Sequence, residues 1–231
     1  MFYFDPLYFV FALPALLLAF YAQFKVQSSY RKYLQVPNQR GISGLEAAQR
    51  LLYDNGLSHV GIEGTRGELT DHYDPRTEIL RLSTGVARSQ SVAALGIVAH
   101  EVGHAVQDAT AYGPLKLRSG LVPVVNIGSW LGPILFMVGL LFNSLNLAWV
   151  GVAAFAGSLV FALITLPVEY NASHRAVQML QASGLVSQAE LRGARSVLSA
   201  AALTYVAAVA QALSTLLYYI VVLGGFRRRR D

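Results

Sequence analysis

The sequence lacks cysteine altogether and has little charge. Of its 231 residues, none is cysteine and only 13% are Asp, Glu, Lys or Arg. Without thiols, disulfide bonds and thiolate metal sites are both excluded, so any zinc must be held by His, Asp or Glu. Ordinary globular domains carry roughly 25% charged residues. Together with a hydrophobic content of 54%, this scarcity excludes a typical water-soluble protein.

The charge that is present is mainly positive, with a formal net value of +5 at pH 7. Four of the arginines stand together near the C-terminus, at 227–230, directly after an apolar run. A basic cluster in that position is typical of contact with anionic lipid headgroups or of topology control. We therefore expect the lipid bilayer, and no nucleic acid, as a partner.

Four apolar runs are long enough to cross a hydrocarbon core of about 30 Å at roughly 1.5 Å per residue. The first has no basic segment before it and no small-residue cleavage site after it, which favours a retained anchor over a signal peptide. The sequence predicts a multi-pass protein of the cell membrane whose transmembrane helices are residues 6–24, 121–142, 145–168 and 200–225.

The lysines and arginines that flank these runs indicate the orientation. They follow the first run, precede the second and lie between the third and the fourth, whereas the loop near Asn143 has none. This distribution places the polar segments in the cytoplasm. The basic tail, residues 226–231, disagrees, because four spans put both termini outside. We follow the earlier and more numerous charges.

Residues 25–120, between the first two runs, form the larger polar region. Ser43 and Glu46 have the spacing of a capping box at the start of a helix. A turn between Leu69–Tyr73 and Glu78–Leu82 predicts two strands. The second strand is either an edge to which an extended peptide can add or a member of an ordinary hairpin.

The last helix of this region, which Ser89 or Ser91 caps, carries the sequence HEVGH. His100 and His104 are four residues apart and therefore share a helix face, where they can offer two imidazole nitrogens to one ion. Glu101 stands beside them, placed to hydrogen-bond a water molecule rather than to bind the metal. This H-E-x-x-H pattern is typical of zinc metalloproteases, in which the Glu is the general base.

A third protein ligand must come from outside this helix. The remaining histidines are His59, His72 and His174, and Glu169 is an acidic candidate that follows the third apolar run. A carboxylate at the lipid boundary is costly unless it is paired or metal-bound. Pro167 can begin a new helical segment there and aim Glu169 at a neighbouring helix. Physical reasoning therefore favours Glu169 over His72.

Four stretches of the chain resemble the YugP-like family of bacterial membrane zinc metallopeptidases: LTDHYDPRTEILRLS, SVAALGIVAHEVGHAVQ, LPVEYNASHRA and GARSVLSAAALTYVAA. That family is related to HtpX-type and CAAX prenyl protease zincins. The resemblance implies an α-helical integral membrane protein with about four transmembrane helices and a small α+β zincin-like catalytic domain, residues 25–120. Residues 169–199 would be a helical segment that carries the third zinc ligand.

By the same resemblance, Glu101 is the general base and one Zn²⁺ per chain is bound by a set of three residues: His100, His104 and Glu169. In the relatives the third ligand begins an E-x-x-A-D pattern, whose Asp supports a ligand histidine. Here a serine stands in the place of that Asp. The supporting residue stays open among three candidates: Ser173, Asn171 and Asp74.

The expected activity is hydrolysis of peptide bonds in membrane or membrane-proximal protein substrates through a zinc-activated water. Because Glu169 directly follows the third run, the site is expected at the membrane face. The donor to the oxyanion stays open among four residues: Arg195, Arg175, Tyr170 and Tyr205. The alternative is a non-proteolytic zinc-containing adaptor or structural protein, which needs a fourth protein ligand, for which His72 is the best candidate. No pattern in the sequence predicts the oligomeric state.

Overall fold

The computed structural model describes residues 6–228, in which seven helices and three strands form two compact units. The site unit comprises Gln23–Lys116 and Pro167–Leu203, and the apolar unit comprises the other described residues. The helices are α1 (Pro6–Leu34), α2 (Gly44–Asp54), α3 (Thr84–Arg88), α4 (Val92–Ala109), α5 (Gly113–Leu141), α6 (Leu145–Ala182) and α7 (Gln188–Arg228), and the strands are β1 (Gly61–Thr65), β2 (His72–Asp74) and β3 (Ile79–Ser83).

Four helices of the described chain are long and apolar enough to cross a membrane: α1, α5, α6 and α7. This number agrees with the four apolar runs of the sequence and confirms about four helices that could span a membrane. Each helix continues past the apolar run that predicts it, so that α1 ends at Leu34 and α5 already begins at Gly113. The basic tail, residues 226–231, lies outside the part of the chain whose side chains are described.

Residues 169–199 are helical but do not form a segment of their own. They consist of the polar end of α6 and the polar beginning of α7, joined by residues 183–187. Pro167 lies inside α6, so the expectation that it begins a new helix is wrong. A proline removes only one backbone hydrogen bond, to the carbonyl four residues earlier, and the neighbouring bonds carry the helix through. Glu169 is therefore held by the same helix as the third apolar run.

In the apolar unit, α5 and α6 form a tight hairpin whose backbones approach closely. The helices are joined by residues 142–144 alone. A Cβ atom added at Gly132 would lie 2.8 Å from the backbone nitrogen of Phe155. Small residues allow this kind of approach between helices in lipid, where there is no hydrophobic force to drive them together.

The first helix that lies wholly in the site unit is α2, and the sequence signals for this helix are confirmed. The backbone N–H of Glu46 donates to the hydroxyl of Ser43 at 3.2 Å, and the N–H of Ser43 donates to the carboxylate of Glu46 at 2.7 Å. This capping box satisfies two backbone donors that a helix start leaves free. The apolar face of α2, which includes Ala47 and Leu51, is buried in the core of the unit.

The small sheet of the site unit has the strand order β1-β3-β2. β2 pairs with β3 antiparallel, which confirms the predicted turn, and β1 pairs with β3 in parallel. β3 is therefore central, and the expectation that the strand Glu78–Leu82 is an edge for an added peptide is wrong. The strand predicted at Leu69–Tyr73 is the shorter β2, which does not include Leu69, because Leu69 has a φ of 55° and cannot continue a strand. The free edges belong to β1 and β2.

Helix α4 lies at the centre of the site unit, packed against α2, α3, β2 and β3. Leu95, Val98 and Val102 of this helix are completely buried, as is Leu80 of β3. An 18-residue helix surrounded in this way is held rigidly by its neighbours. The side chains at its C-terminal half are consequently fixed in position.

Candidate metal centre

Helix α4 positions the two histidines of the HEVGH sequence. The hydroxyl of Ser91 accepts a hydrogen bond from the N–H of Ala94 at 3.2 Å, so Ser91 is the cap of this helix. The rings of His100 and His104 have centroids 4.8 Å apart and stand nearly edge to face, at 85°. The helical spacing thus places both imidazoles on one face.

Glu169 comes from α6 and completes a cluster with the two histidines. Its Oε2 lies 3.2 Å from Nε2 of His100 and 3.6 Å from Nε2 of His104. The carboxylate is buried, with 2% of Glu169 exposed. One ligand atom from each of the three residues lies within 4.8 Å of the other two, so this group could hold a metal ion.

The close approach of α6 to α4 depends on the absence of a side chain at Gly103. A Cβ atom at this position would lie 2.6 Å from the carbonyl oxygen of Ala172, well inside van der Waals contact. Ala172 is three residues from Glu169 on α6, less than one helical turn away. Glycine at this position therefore lets the Glu169 carboxylate reach the histidines.

The donor atoms of this cluster fit a zinc ion. Ligand atoms on a tetrahedral zinc with bonds of roughly 2.0–2.1 Å lie about 3.3 Å apart. Glu169 Oε2 is 3.2 Å and 3.6 Å from the two Nε2 atoms. Two imidazoles and one carboxylate are also a donor set that catalytic zinc sites use with a fourth position left for water or substrate.

Glu101 lies next to the cluster but is not one of its three members. It is 8% exposed, and its Oε2 accepts a hydrogen bond of 3.0 Å from the backbone N–H of Tyr73 on β2. Burial raises the pKa of the Glu101 carboxyl above its ordinary value, against the opposing effect of the two neighbouring histidines. A raised pKa brings a carboxylate closer to the operating pH, where a proton acceptor and donor is most effective.

Tyr73 ties β2 to the histidine helix at two points. Besides its N–H contact with Glu101, its hydroxyl donates to Oδ2 of Asp108, also at 3.0 Å. Burial and the Asp108 contact raise the pKa of the Tyr73 hydroxyl, so it stays protonated and keeps donating. The two bonds fix the edge strand β2 alongside α4.

Gln107 determines the protonation pattern of His104. Its amide nitrogen donates to the carbonyl of Val168 at 2.8 Å and to Oδ1 of Asn171 at 3.0 Å, and its Oε1 lies 3.0 Å from Nδ1 of His104. Because a backbone carbonyl can only accept, the amide orientation is fixed and Oε1 must face the histidine. Nδ1 of His104 therefore carries the proton, which leaves the lone pair of Nε2 directed at the cluster.

Comparisons with known proteins show the family of this chain. The family model described as "putative neutral zinc metallopeptidase" matches residues 8–224. The chain belongs to this metallopeptidase family. It is also 48% identical over 208 residues to the "Putative membrane protease YugP" of Bacillus subtilis (strain 168), covering 90% of this chain and 92% of that relative. No solved structure matches the chain.

In this metallopeptidase family member, Ser173 contacts a histidine of the cluster. Its hydroxyl lies 3.2 Å from Nδ1 of His100, in the position where the related zincins carry an Asp. Asn171 has an indirect part, because it contacts Gln107 rather than a histidine. Asp74 is engaged elsewhere, with the guanidinium of Arg81 at 3.1 Å. Of the three candidates for support of a histidine, Ser173 is the one in contact.

The other three histidines do not join the cluster. His72 is exposed, and its Nδ1 lies 2.8 Å from the carbonyl of Thr70. His59 is exposed as well, 3.9 Å from the carboxylate of Glu78. His174 is exposed on α6, where it lines a cavity of the site unit. The structure thus brings Glu169, and not His72, to the two histidines.

The candidates for an oxyanion donor have different surroundings. Nε of Arg175 donates to Oδ1 of Asn171 at 2.8 Å, which links it to the Gln107 network. Tyr170 and Arg195 line the same cavity as His174. Tyr205 belongs to the apolar unit.

Sequence reasoning missed Gln107 and Tyr73. A signal for Gln107 was available, because a polar residue three positions after His104 shares its helix face and follows an apolar stretch that predicts burial. For Tyr73 no sequence signal existed, because its bonds to Glu101 and Asp108 join elements far apart in the chain, 28 and 35 residues away.

Proposed function

We propose that this chain is an integral-membrane, zinc-dependent endopeptidase that hydrolyses peptide bonds of membrane or membrane-proximal proteins. The observation that carries the proposal is the buried cluster of His100, His104 and Glu169, whose ligand atoms lie within 4.8 Å of one another, with a glutamate beside the first histidine. Membership in the metallopeptidase family and similarity to a membrane protease support the same reaction class.

In this proposal the three residues of the cluster hold one Zn²⁺ per chain. The chemistry that zinc supplies when bound is Lewis acidity, which polarises the scissile carbonyl and makes a water molecule more acidic. Nε2 of each histidine and Oε2 of Glu169 are the donor atoms. Gln107 keeps His104 in the tautomer that a metal requires.

Glu101 is the general base of the proposed reaction. Its carboxylate takes a proton from the attacking water and returns it to the nitrogen of the leaving amine, so that the glutamate ends in its starting state. The N–H of Tyr73 holds one carboxylate oxygen in place. The other oxygen is the one we assign to proton transfer.

We further propose that Gln23–Lys116, together with the polar ends of α6 and α7, forms a zincin-like catalytic domain. β2 is its substrate strand: it is an outer strand of the sheet, and the N–H of Tyr73, which is bonded to Glu101, places the strand beside the general base. An extended peptide can add to such an edge through main-chain hydrogen bonds. This assignment replaces the one based on the central strand β3.

The same proposal places the site at the cytoplasmic face of the membrane. Glu169 directly follows the apolar run of α6 within one continuous helix. Lys25, Arg31 and Lys32 follow the first apolar run, and basic residues near a span favour the cytoplasm. Substrates near the bilayer would reach this site most easily.

The adaptor alternative is the weaker reading of the site. A closed structural zinc site needs four protein ligands, and His72, its best candidate, is exposed with Nδ1 at the carbonyl of Thr70. A buried glutamate next to the cluster also has a use in proton transfer and none in a purely structural site.

The decisive experiment compares the purified wild type with Glu101→Gln, and with Glu68→Gln as a matched control on an exposed glutamate. The protein is assayed in nanodiscs for zinc content and for cleavage of casein and of a peptide library. We expect zinc in all three, and a loss of cleavage of about 10²- to 10⁴-fold in Glu101→Gln alone. Cleavage by Glu101→Gln at the wild-type rate would contradict the mechanism, and bound zinc without any cleavage by the wild type would favour the adaptor.

A further inference from the structure

A cavity of about 740 Å³ opens in the site unit between the polar parts of α6 and α7. Ser173 forms part of its wall, and the hydroxyl of Ser173 is 3.2 Å from Nδ1 of His100. A single side chain therefore separates the cavity from the metal cluster. Its volume lies within the range of roughly 300–1,000 Å³ that is usual for ligand pockets.

The cavity contains one permanent charge and nothing that neutralises it. Arg195 lines it, and none of the lining residues is Asp or Glu. In the part of the chain that the structure describes, the ion pairs join other residues and Arg195 has none. The nearest carboxylate in sequence to the lining, Glu169, is committed to the histidines. An unpaired guanidinium of this kind is available to an anion.

The other walls of the cavity suit a peptide. Gln178 and Ser199 offer neutral hydrogen-bonding groups, and Val177 and Leu198 offer apolar surface. Neutral amides and hydroxyls can bond peptide N–H and carbonyl groups without a cost in charge. The combination resembles a specificity pocket: apolar and neutral surface for general contact, and one charge for selection.

We propose that this cavity is a substrate-recognition pocket that selects an acidic side chain, Asp or Glu, on the peptide to be cleaved. The inference rests on the proposed endopeptidase function and names its substrate class. The guanidinium of Arg195 binds the carboxylate through two parallel hydrogen bonds, the geometry for which arginine is suited. The remaining volume accommodates neighbouring residues of the peptide.

A peptide fits the observations better than an anionic lipid headgroup. Lipid-binding sites recruit clusters of roughly four to eight Lys or Arg residues, whereas this cavity has a single arginine. Ser173 on its wall contacts Nδ1 of His100, so the cavity borders the cluster on the side of that histidine away from Nε2, the nitrogen assigned to the metal. We therefore place there a side chain of the peptide rather than its cut bond.

The test is cleavage of peptides generated from a bacterial proteome with chymotrypsin, by full-length protein in phosphatidylcholine nanodiscs. Cleavage sites are read by mass spectrometry for wild type, Arg195→Gln, Arg195→Glu and the control Arg192→Gln, an exposed arginine on the same helix that does not line the cavity. We expect Asp or Glu at one fixed position from the cut bond, enriched about fivefold over Asn and Gln, as for an exposed charge pair.

The enrichment should persist in Arg192→Gln, disappear in Arg195→Gln and turn into a preference for Lys or Arg in Arg195→Glu. For matched peptides the change should appear mainly in KM rather than in kcat. Cleavage by the wild type without an acidic preference would overturn this inference alone, whereas no cleavage of any peptide would overturn the endopeptidase function with it. Phosphatidylglycerol that stays bound to the detergent-purified proteins is measured beside cleavage. An unchanged cleavage pattern in Arg195→Glu with weaker retention of this lipid would assign the arginine to lipid and also overturn the inference.

Discussion

Large apolar side chains are buried in one unit of this protein and exposed in the other. In the site unit Leu95 is completely buried, whereas in the apolar unit Leu141 is 75% exposed and Val124 is 68% exposed. Large exposed apolar surfaces are unfavourable in water but not in lipid. The site unit therefore has a water-excluding core of its own, whereas the outer faces of the apolar unit are suited to a bilayer.

The units also differ in whether their buried polar side chains have hydrogen-bond partners. Within residues 6–228, the two buried side-chain atoms without a hydrogen-bond partner are Ser158 Oγ and Thr165 Oγ1, and both belong to the apolar unit. In the site unit, by contrast, the fully buried amide of Gln107 makes three hydrogen bonds. Buried polar networks of this kind specify one arrangement of their members.

The largest expected difference between the units concerns core packing. Leu95→Ala should destabilise the protein by about 2–5 kcal/mol, because it leaves a cavity in a rigid core. Leu141→Ala, the same substitution on a lipid-suited surface, should cost less than about 1 kcal/mol. Thermal unfolding of both variants in the same detergent measures the difference, and equal losses would contradict the division into two kinds of environment.

A smaller effect is expected where α4 and α6 approach each other. Gly103→Ala places a methyl group 2.6 Å from a backbone carbonyl oxygen, whereas at Gly96 the same change meets the Cβ of Ala194 at 3.3 Å. We expect Gly103→Ala to cost about 1–3 kcal/mol and to weaken zinc binding, because α6 carries Glu169. Gly96→Ala should keep full zinc content. Equal zinc contents in the two variants would argue against the role given to Gly103.

The smallest effects separate the two kinds of buried polar group. Gln107→Leu should raise the Kd for zinc by about 10- to 100-fold, because His104 loses the partner that fixes its tautomer. Thr165→Val should leave zinc binding unchanged and alter stability by no more than about 0.5 kcal/mol. Competition with a chelator gives the affinities, and nitrogen-15 spectra of His104 in the zinc-free protein report its tautomer without any assay of activity. An unaltered tautomer in Gln107→Leu would refute the assignment.

Local signals in the sequence predict the local elements of this fold. The capping box of α2, the Ser91 cap of α4 and the turn before β3 depend on residues a few positions apart, and all three are confirmed. The four apolar runs likewise predict the long helices, because the length needed to cross a bilayer is a property of one segment.

Features that depend on distant partners could not be predicted in this way. The parallel pairing of β1 with β3, which makes β3 central, joins strands that no local pattern connects. The continuation of α6 through Pro167 depends on the helical bonds on both sides of the proline. Physical grounds do favour Glu169, because a carboxylate at that boundary needs a partner. No residue pattern in the sequence predicts the contact of Tyr73 with Glu101.

The most direct test of the account is the zinc content of Glu169→Gln beside that of Glu190→Gln. Glu190 is also a buried carboxylate of the site unit, but it is bonded to Ser187 and Gln39 and lies outside the cluster. Zinc is measured by mass spectrometry of the purified, folded proteins. We expect one zinc per chain in the wild type and in Glu190→Gln, and loss of most zinc in Glu169→Gln. Full zinc in Glu169→Gln would contradict the proposed metal centre.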